Sequence, residues 1–207
     1  MPSRRKASRR PRPAARSRTS RTGRALRVPI RGPVRVVFLD VDGTLTDGVI
    51  GFDDRGDSRS FSIRDGLAMT WAREHGVTVV AISGRSSDAV QLRMKDLGIE
   101  CHAGVQDKIP VAERVRLRVG ASWAQCAMVG DDLPDVALMK RVGWAVAVAD
   151  AQPEVHAVAH VTTRSGGGRG AVREVMEAVL RHNGAWEHVL EHYQVGPRRA
   201  GATRSRA

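Results

Sequence analysis

Short, fully apolar runs alternate along this chain with longer stretches that carry one apolar face. Val36-Val37-Phe38-Leu39 are β-branched, aromatic and aliphatic without a polar break, which predicts a strand buried on both faces. Residues 77–82 and 124–129 are largely apolar and read as buried strands too. Residues 99–103 and 144–149 read as further strands, and a short last one begins at Val161. Helical periodicity is expected over residues 67–74, 88–97, 108–119, 134–142, 170–182 and 186–193, with His75-Gly76 closing the first and Gly98 stopping the second. Residues 48–52 and 58–63 flank the polar loop Asp53-Asp54-Arg55-Gly56-Asp57 and predict a small β-hairpin. Strands that alternate with helices of this length imply an α/β fold, a Rossmann-like parallel sheet covered on both faces. Right-handed crossovers then bring the carboxyl ends of all strands to one rim.

The polar residues that interrupt the pattern fall at that rim. The first strand runs into Asp40 and Asp42, two carboxylates one residue apart, with Gly43 ending regular structure. The second ends at Ser83-Gly84-Arg85, Lys108 opens the helix after the third, and the strand at 124–129 ends in Gly130-Asp131-Asp132. Open α/β sheets bind ligands outside the carboxyl ends of their strands. Close carboxylates repel, and a buried pair is costly unless a cation or proton sits between them. Taken singly, Ser83 fits a helix cap and Gly130-Asp131-Asp132 a turn plus cap. Four acids, a hydroxyl and a lysine at one rim are not explained by capping and point to a site for a hard metal ion.

Charge sharpens the domain picture. The net charge of +12 is concentrated at the ends. Residues 1–32 hold 12 Lys/Arg and residues 194–207 hold 4, neither with an acid, which leaves 18 basic against 22 acidic residues in 33–193. The two ends read as disordered basic tails around one domain of ordinary size at 33–193. A basic arm suits nucleic acid or another anionic surface, or a transit peptide, but no aromatic residue interleaves the arginines of the first tail, which argues against a nucleic-acid partner. No secretory apolar segment or membrane-length apolar run occurs, and Cys101 and Cys126 lie in apolar strands as reduced core residues, so a cytoplasmic location is expected and no membrane partner.

In order, Asp40-x-Asp42-Gly43-Thr44, Ser83, Lys108 and Gly130-Asp131-Asp132-x-x-Asp135 resemble the four motifs of the haloacid dehalogenase superfamily of phosphohydrolases. Asp42-Gly-Thr-Leu-Thr-Asp47-Gly48, Arg64-Asp65-Gly66, Gly130-Asp-Asp-Leu-Pro-Asp135, Val146-Ala-Val-Ala-Asp150-Ala and Gly167-Gly-Arg169-Gly-Ala-Val-Arg173-Glu174 narrow it. They are similar to the 3-deoxy-D-manno-octulosonate 8-phosphate phosphatases and the nonulosonate-9-phosphate relatives, over about residues 34–182.

The resemblance implies a Mg²⁺-dependent phosphatase for a sugar-acid phosphate. Asp40 would be the nucleophile that carries an aspartyl-phosphate, and Asp42 the general acid and base. Asp40, the Asp42 main-chain carbonyl and Asp131 would hold Mg²⁺; Lys108, Ser83 and Gly84 would bind the phosphoryl group; Asp132 and Asp135 would orient Lys108 or metal-bound water. A hairpin in place of a cap domain and a homotetramer are implied too. Asp42, Ser62, Ile63, Arg64, Asp65, Gly66, Arg85 and Arg93 would line the sugar-acid pocket, and Arg169 would reach an adjacent site. One departure is Thr70, where related enzymes often carry a basic residue. The alternatives are another small phosphoester, such as a nonulosonate 9-phosphate, or a nucleic-acid-associated protein that uses its basic arm.

Overall fold

The computed structural model describes residues 26–54 and 56–196. The tails expected to be disordered lie outside these residues up to 25 and from 197 on. The main sheet contains β1 (Val36–Leu39), β4 (Thr78–Ile82), β5 (Glu100–His102), β6 (Cys126–Gly130), β7 (Trp144–Ala147) and β8 (Val161–Thr162). Its order is β5-β4-β1-β6-β7-β8, and every pairing is parallel. A separate antiparallel ribbon pairs β2 (Gly51–Asp53) with β3 (Gly56–Ser58). This is the α/β, Rossmann-like sheet with a small hairpin that the sequence implies.

Successive residues of the sheet face opposite sides, and both sides are covered. Val37, Leu39, Val79, Val129 and Val146 point toward α1 (Ile63–Glu74), α2 (Asp88–Leu97), α6 (Ala171–His182) and α7 (Trp186–His192). Val36, Phe38, Val80, Ile82 and Met128 point toward α3 (Lys108–Val119), α4 (Leu133–Met139) and α5 (Pro153–Val158). β1 and β6, the central strands, are fully buried. Cys101 and Cys126 are free thiols, and burial pushes both up, Cys126 to about 11. Among the described residues no helix is long and apolar enough to cross a membrane.

Three differences from the sequence reading have physical causes. Extended structure was expected to run through residue 63, but β3 stops at Ser58 and α1 begins at Ile63. The Ser62 hydroxyl accepts from the Asp65 N–H at 3.3 Å and caps the helix there. Helix α5 was not expected; Pro153 at its start supplies the fixed φ that suits a first helical turn. The packed region also reaches back beyond 33, since Ile30 is buried and Leu26 and Val28 pack on the α1/α6 side of the core.

The Gly-rich stretch before α6 lies directly on the loop that follows β1. A Cβ on Gly167 would overlap the Gly43 carbonyl oxygen and lie 2.7 Å from that of Thr46. The Gly168 N–H donates to the Thr44 carbonyl at 3.0 Å. Glu174 anchors this strap by accepting from Ser165 N–H (3.0 Å), Ser165 Oγ (2.7 Å) and Arg164 Nε (3.1 Å). Burial pushes the Glu174 carboxyl up, but its bonds from Ser165 and Arg164 outweigh that and hold it below the usual carboxylate range. A carboxyl lowered by folding stabilises the protein above its unfolded value, about 4.3, and that contribution is lost as pH falls through the folded value. Glu174→Gln is therefore expected to melt a few degrees below wild type at pH 7, with the gap closing as pH falls below about 4. A gap that stays constant down to pH 3 would remove this role.

Candidate active site

The carboxyl ends of β1 and β6 lie side by side and deliver the acids. The Asp40 N–H donates to the Val129 carbonyl at 3.0 Å, which fixes the end of β1 against β6. Beyond Asp40 the chain folds around one carbonyl: the N–H groups of Leu45 and Thr46 both donate to Val41, at 2.9 and 3.1 Å. Gly43 adopts φ +95°, and a Cβ there would collide with the Asp131 carboxylate. Thr44 and Thr46 are fully buried in this turn. Thr44 Oγ1 donates to Asp131 Oδ1 at 3.2 Å, and Thr46 Oγ1 accepts from Gly43 and Gly48, both at 3.3 Å.

Lys108 enters from α3, which Asp107 caps by accepting from the Ile109 N–H at 3.0 Å. Its side chain is 2% exposed. The ammonium bonds Asp40 Oδ1 and, at 2.6 Å, Asp135 Oδ1. Asp135 Oδ2 accepts from the Asp131 N–H at 3.0 Å, so one carboxylate positions both the lysine and the metal-candidate loop. Asp132 caps α4, accepting from the Leu133 N–H at 2.7 Å, and lines the cavity with Asp42.

Two carboxylates thus hold one ammonium in a largely buried setting, and a third, Asp131, lies beside them. Burial, followed by the charge of Asp135, raises Asp40 well above the usual range, against the pull of Lys108. Asp131 is pushed up to about 6, first by burial and next by Asp135. Burial pulls Lys108 down, but Asp40 and Asp135 outweigh it and hold the ammonium above its usual range. Beyond burial, both signs reflect carboxylates crowded around one lysine. Asp40, Asp131 and Asp135 present oxygens within 4.8 Å of one another. Asp135 is engaged by Lys108 and backbone amides, so Asp40 and Asp131 are the side chains that could hold a cation here. An all-oxygen donor set without thiol or imidazole suits a hard divalent cation.

These residues line a cavity of about 260 Å³ together with Ser83, Gly84 and Arg85. The buried Ser83 hydroxyl accepts from the Arg85 N–H at 3.0 Å, which leaves its proton free to donate into the cavity. Of the residues expected to contact the sugar acid, Asp42 and Arg85 reach this cavity. The others do not. Ser62 caps α1 and lines a smaller cavity of about 180 Å³ with Asp47 and Arg169, which pair at 3.6 Å. Ile63 is 80% exposed and Arg64 is exposed. Asp65 is buried and holds the start of α6, accepting from the N–H groups of Gly170 (3.1 Å) and Arg173 (2.6 Å). Gly66 sits beneath the Arg93 guanidinium, and Arg93 pairs with Asp96 at 2.8 Å. In one copy of the chain, Asp65 and Gly66 are packing positions.

The structure also adds a residue that sequence reasoning did not select. Arg59, just past β3, sends its Nε to Asp42 Oδ1 at 2.5 Å.

A family model for haloacid dehalogenase-like hydrolases matches residues 103–176. The 3-deoxy-D-manno-octulosonate 8-phosphate phosphatase of Escherichia coli K12 is 38% identical over 153 residues, covering 73% of this chain and 81% of that protein. The chain belongs to the haloacid dehalogenase-like hydrolases. The Yersinia pestis phosphatase of the same name is 37% identical over 149 residues, covering 71% of this chain and 80% of its own. Among solved structures, the Moraxella catarrhalis phosphatase, in complex with a magnesium ion, a phosphate ion and KDO, superposes with a TM-score of 0.75. It is 32% identical and covers 78% of this chain and 94% of its own. The cobalt-bound Haemophilus influenzae enzyme gives 0.73 at 32% identity, covering 78% and 95%. With this family and these relatives, the chain is a phosphoric monoester hydrolase.

Proposed function

We propose that this hydrolase is a Mg²⁺-dependent phosphatase for a sugar-acid phosphate of the 3-deoxy-D-manno-octulosonate 8-phosphate type, working through an aspartyl-phosphate on Asp40. The observation that carries it is the buried Lys108 held between Asp40 and Asp135, with Asp131 alongside and Ser83 in the same cavity. Asp40, Asp131 and the Asp42 main-chain carbonyl would hold Mg²⁺, which supplies charge neutralisation for the phosphoryl oxygens. Asp40 forms the new P–O bond as the bond to the sugar oxygen breaks, and protonated Asp42 gives that oxygen its proton. Asp42 then takes a proton from the water that attacks the aspartyl-phosphate, releasing phosphate and restoring Asp40. Lys108 offsets charge on Asp40 and the phosphoryl group, and Ser83 and the Gly84 backbone bind its oxygens.

The relatives named above support the substrate class, and Arg85 at the cavity supplies a fork for a carboxylate. Thr70, where related enzymes often carry a basic residue, donates to the Gly66 carbonyl at 3.2 Å; if it contacts the sugar acid, the substrate would be a different one, such as a nonulosonate 9-phosphate. A homotetramer fits the exposed Phe52, Ile63 and Leu92 near the hairpin and the first two helices. A sedimentation mass of one chain would refute it. A cytoplasmic location completes the reading.

The test is phosphate release with Mg²⁺ and with chelator across eight- and nine-carbon keto-acid phosphates and hexose phosphates. Chelator-sensitive turnover that prefers one keto acid is expected. Equal, weak turnover on every ester would discard the sugar-acid assignment. Mg²⁺ at about 100 times its Kd is expected to stabilise the fold by roughly 2.7 kcal/mol at pH 7. Because protons compete for Asp131, that gain should shrink below about pH 6 in thermal melts.

A further inference from the structure

Asp42 sits in the turn three residues past the end of β1, two residues from another carboxylate, with a side chain 21% exposed. A short acid in that setting has several rotamers and a like charge beside it. The structure shows what holds it. Arg59 is an arginine whose side chain is only 2% exposed, and its guanidinium makes three contacts: Nε to Asp42 Oδ1 at 2.5 Å, Nη1 to Ser87 Oγ at 2.7 Å, and Nη1 to the Asp57 carboxylate.

A cation buried to this degree is costly unless paired and fully hydrogen-bonded. Asp57 belongs to β3, and Ser87 caps α2 by accepting from the Val90 N–H at 3.3 Å. One planar fork therefore ties the hairpin, the start of α2 and the Asp42 carboxylate together. Arg59 does not line the catalytic cavity; it lines the neighbouring one with Phe61 and Leu92. Among the acids of the catalytic cavity, the one it bonds is Asp42.

We infer that Arg59 is a positioning residue for the acid–base step: its guanidinium, anchored on Asp57 and Ser87, fixes the Asp42 carboxylate in the orientation that serves the leaving oxygen and the attacking water. The inference rests on the proposed role of Asp42. It predicts an effect on turnover with little effect on substrate binding, and none at all once Asp42 is gone.

The test is a double-mutant cycle on the full chain with Mg²⁺, using the sugar phosphate turned over best in the panel above. Arg59→Gln is expected to lower kcat about 10- to 100-fold, part of the roughly 10²–10⁴ that a general acid–base group contributes, with KM changed less than about threefold. Asp42→Asn and the Asp42→Asn/Arg59→Gln double variant are expected to match within about twofold. Arg59→Lys keeps the charge but not the fork and should recover part of the loss. It carries the same cycle if Arg59→Gln does not fold by thermal melt. Losses that add in the double variant, a loss confined to KM, or unchanged kcat in the Arg59 variants would each overturn the inference alone. Full activity in Asp42→Asn would overturn the acid–base reading beneath it as well.

Discussion

Asp40→Asn is expected to lose phosphatase turnover by a factor on the order of 10⁴ or more while the protein stays folded. An amide occupies nearly the same volume but cannot form the P–O bond, and it offers the metal ion one poor ligand oxygen. The fold has little reason to suffer. Burial and Asp135 already penalise the charged form of Asp40, and Lys108 keeps its 2.6 Å bond to Asp135 when Asp40 is neutral. Active-site acids of this kind trade stability for chemistry. A kinetic assay paired with a thermal melt separates the two: a native-like melt with no turnover is expected. Normal turnover would remove Asp40 as the nucleophile.

Lys108→Met carries the other large effect, and it reaches both activity and stability. The methionine fills the lysine's path but leaves Asp40 and Asp135 without their shared cation, with the Asp131 carboxylate close by. Breaking a buried ion pair by removing one partner costs about 3–5 kcal/mol. Activity should fall on the order of 10³-fold, because charge on Asp40 and the phosphoryl group is no longer offset. The sign of the pH dependence follows from the carboxylates. Asp40 and Asp131 are already raised, and loss of the ammonium raises carboxyls near it further. Protonation relieves their repulsion, so the stability deficit of the variant should be largest near pH 7 and shrink as pH falls through 6 and below. Added Mg²⁺ should recover part of it at pH 7. A deficit that grows on acidification would contradict this view of the cluster.

How much of this was legible in the sequence depended on pattern. Val36–Leu39 and the apolar run before Gly130 have no polar break, so they could only be buried strands, and the acids after them had to lie at the rim. Lys108 and Asp135 could be placed at that rim, but their mutual bond spans 27 residues and belongs to the packing of α3 against α4. Arg59 lies in Ser58-Arg59-Ser60-Phe61, within the run expected to pair as the second hairpin strand, and nothing in that run marks the arginine as buried. Only the tertiary fold turns it inward onto Asp42. Asp65 shows the converse. It stands in a motif that suggests ligand contact, yet its carboxylate is filled by two amides of α6 that are more than 100 positions away. Side chains that act across long sequence separations leave no local signal.

The central claim is that Asp40 accepts the phosphoryl group. Its most direct test uses Asp42→Asn with Mg²⁺ and p-nitrophenyl [³²P]phosphate, quenched in acid. The nitrophenolate leaves without a proton, while hydrolysis of the aspartyl-phosphate lacks its base. The mechanism predicts a burst of nitrophenolate with label retained on the peptide that carries Asp40, discharged by hydroxylamine and absent from the Asp40→Asn/Asp42→Asn double variant. Turnover of the ester with no label on the chain, or label on another peptide, would contradict it.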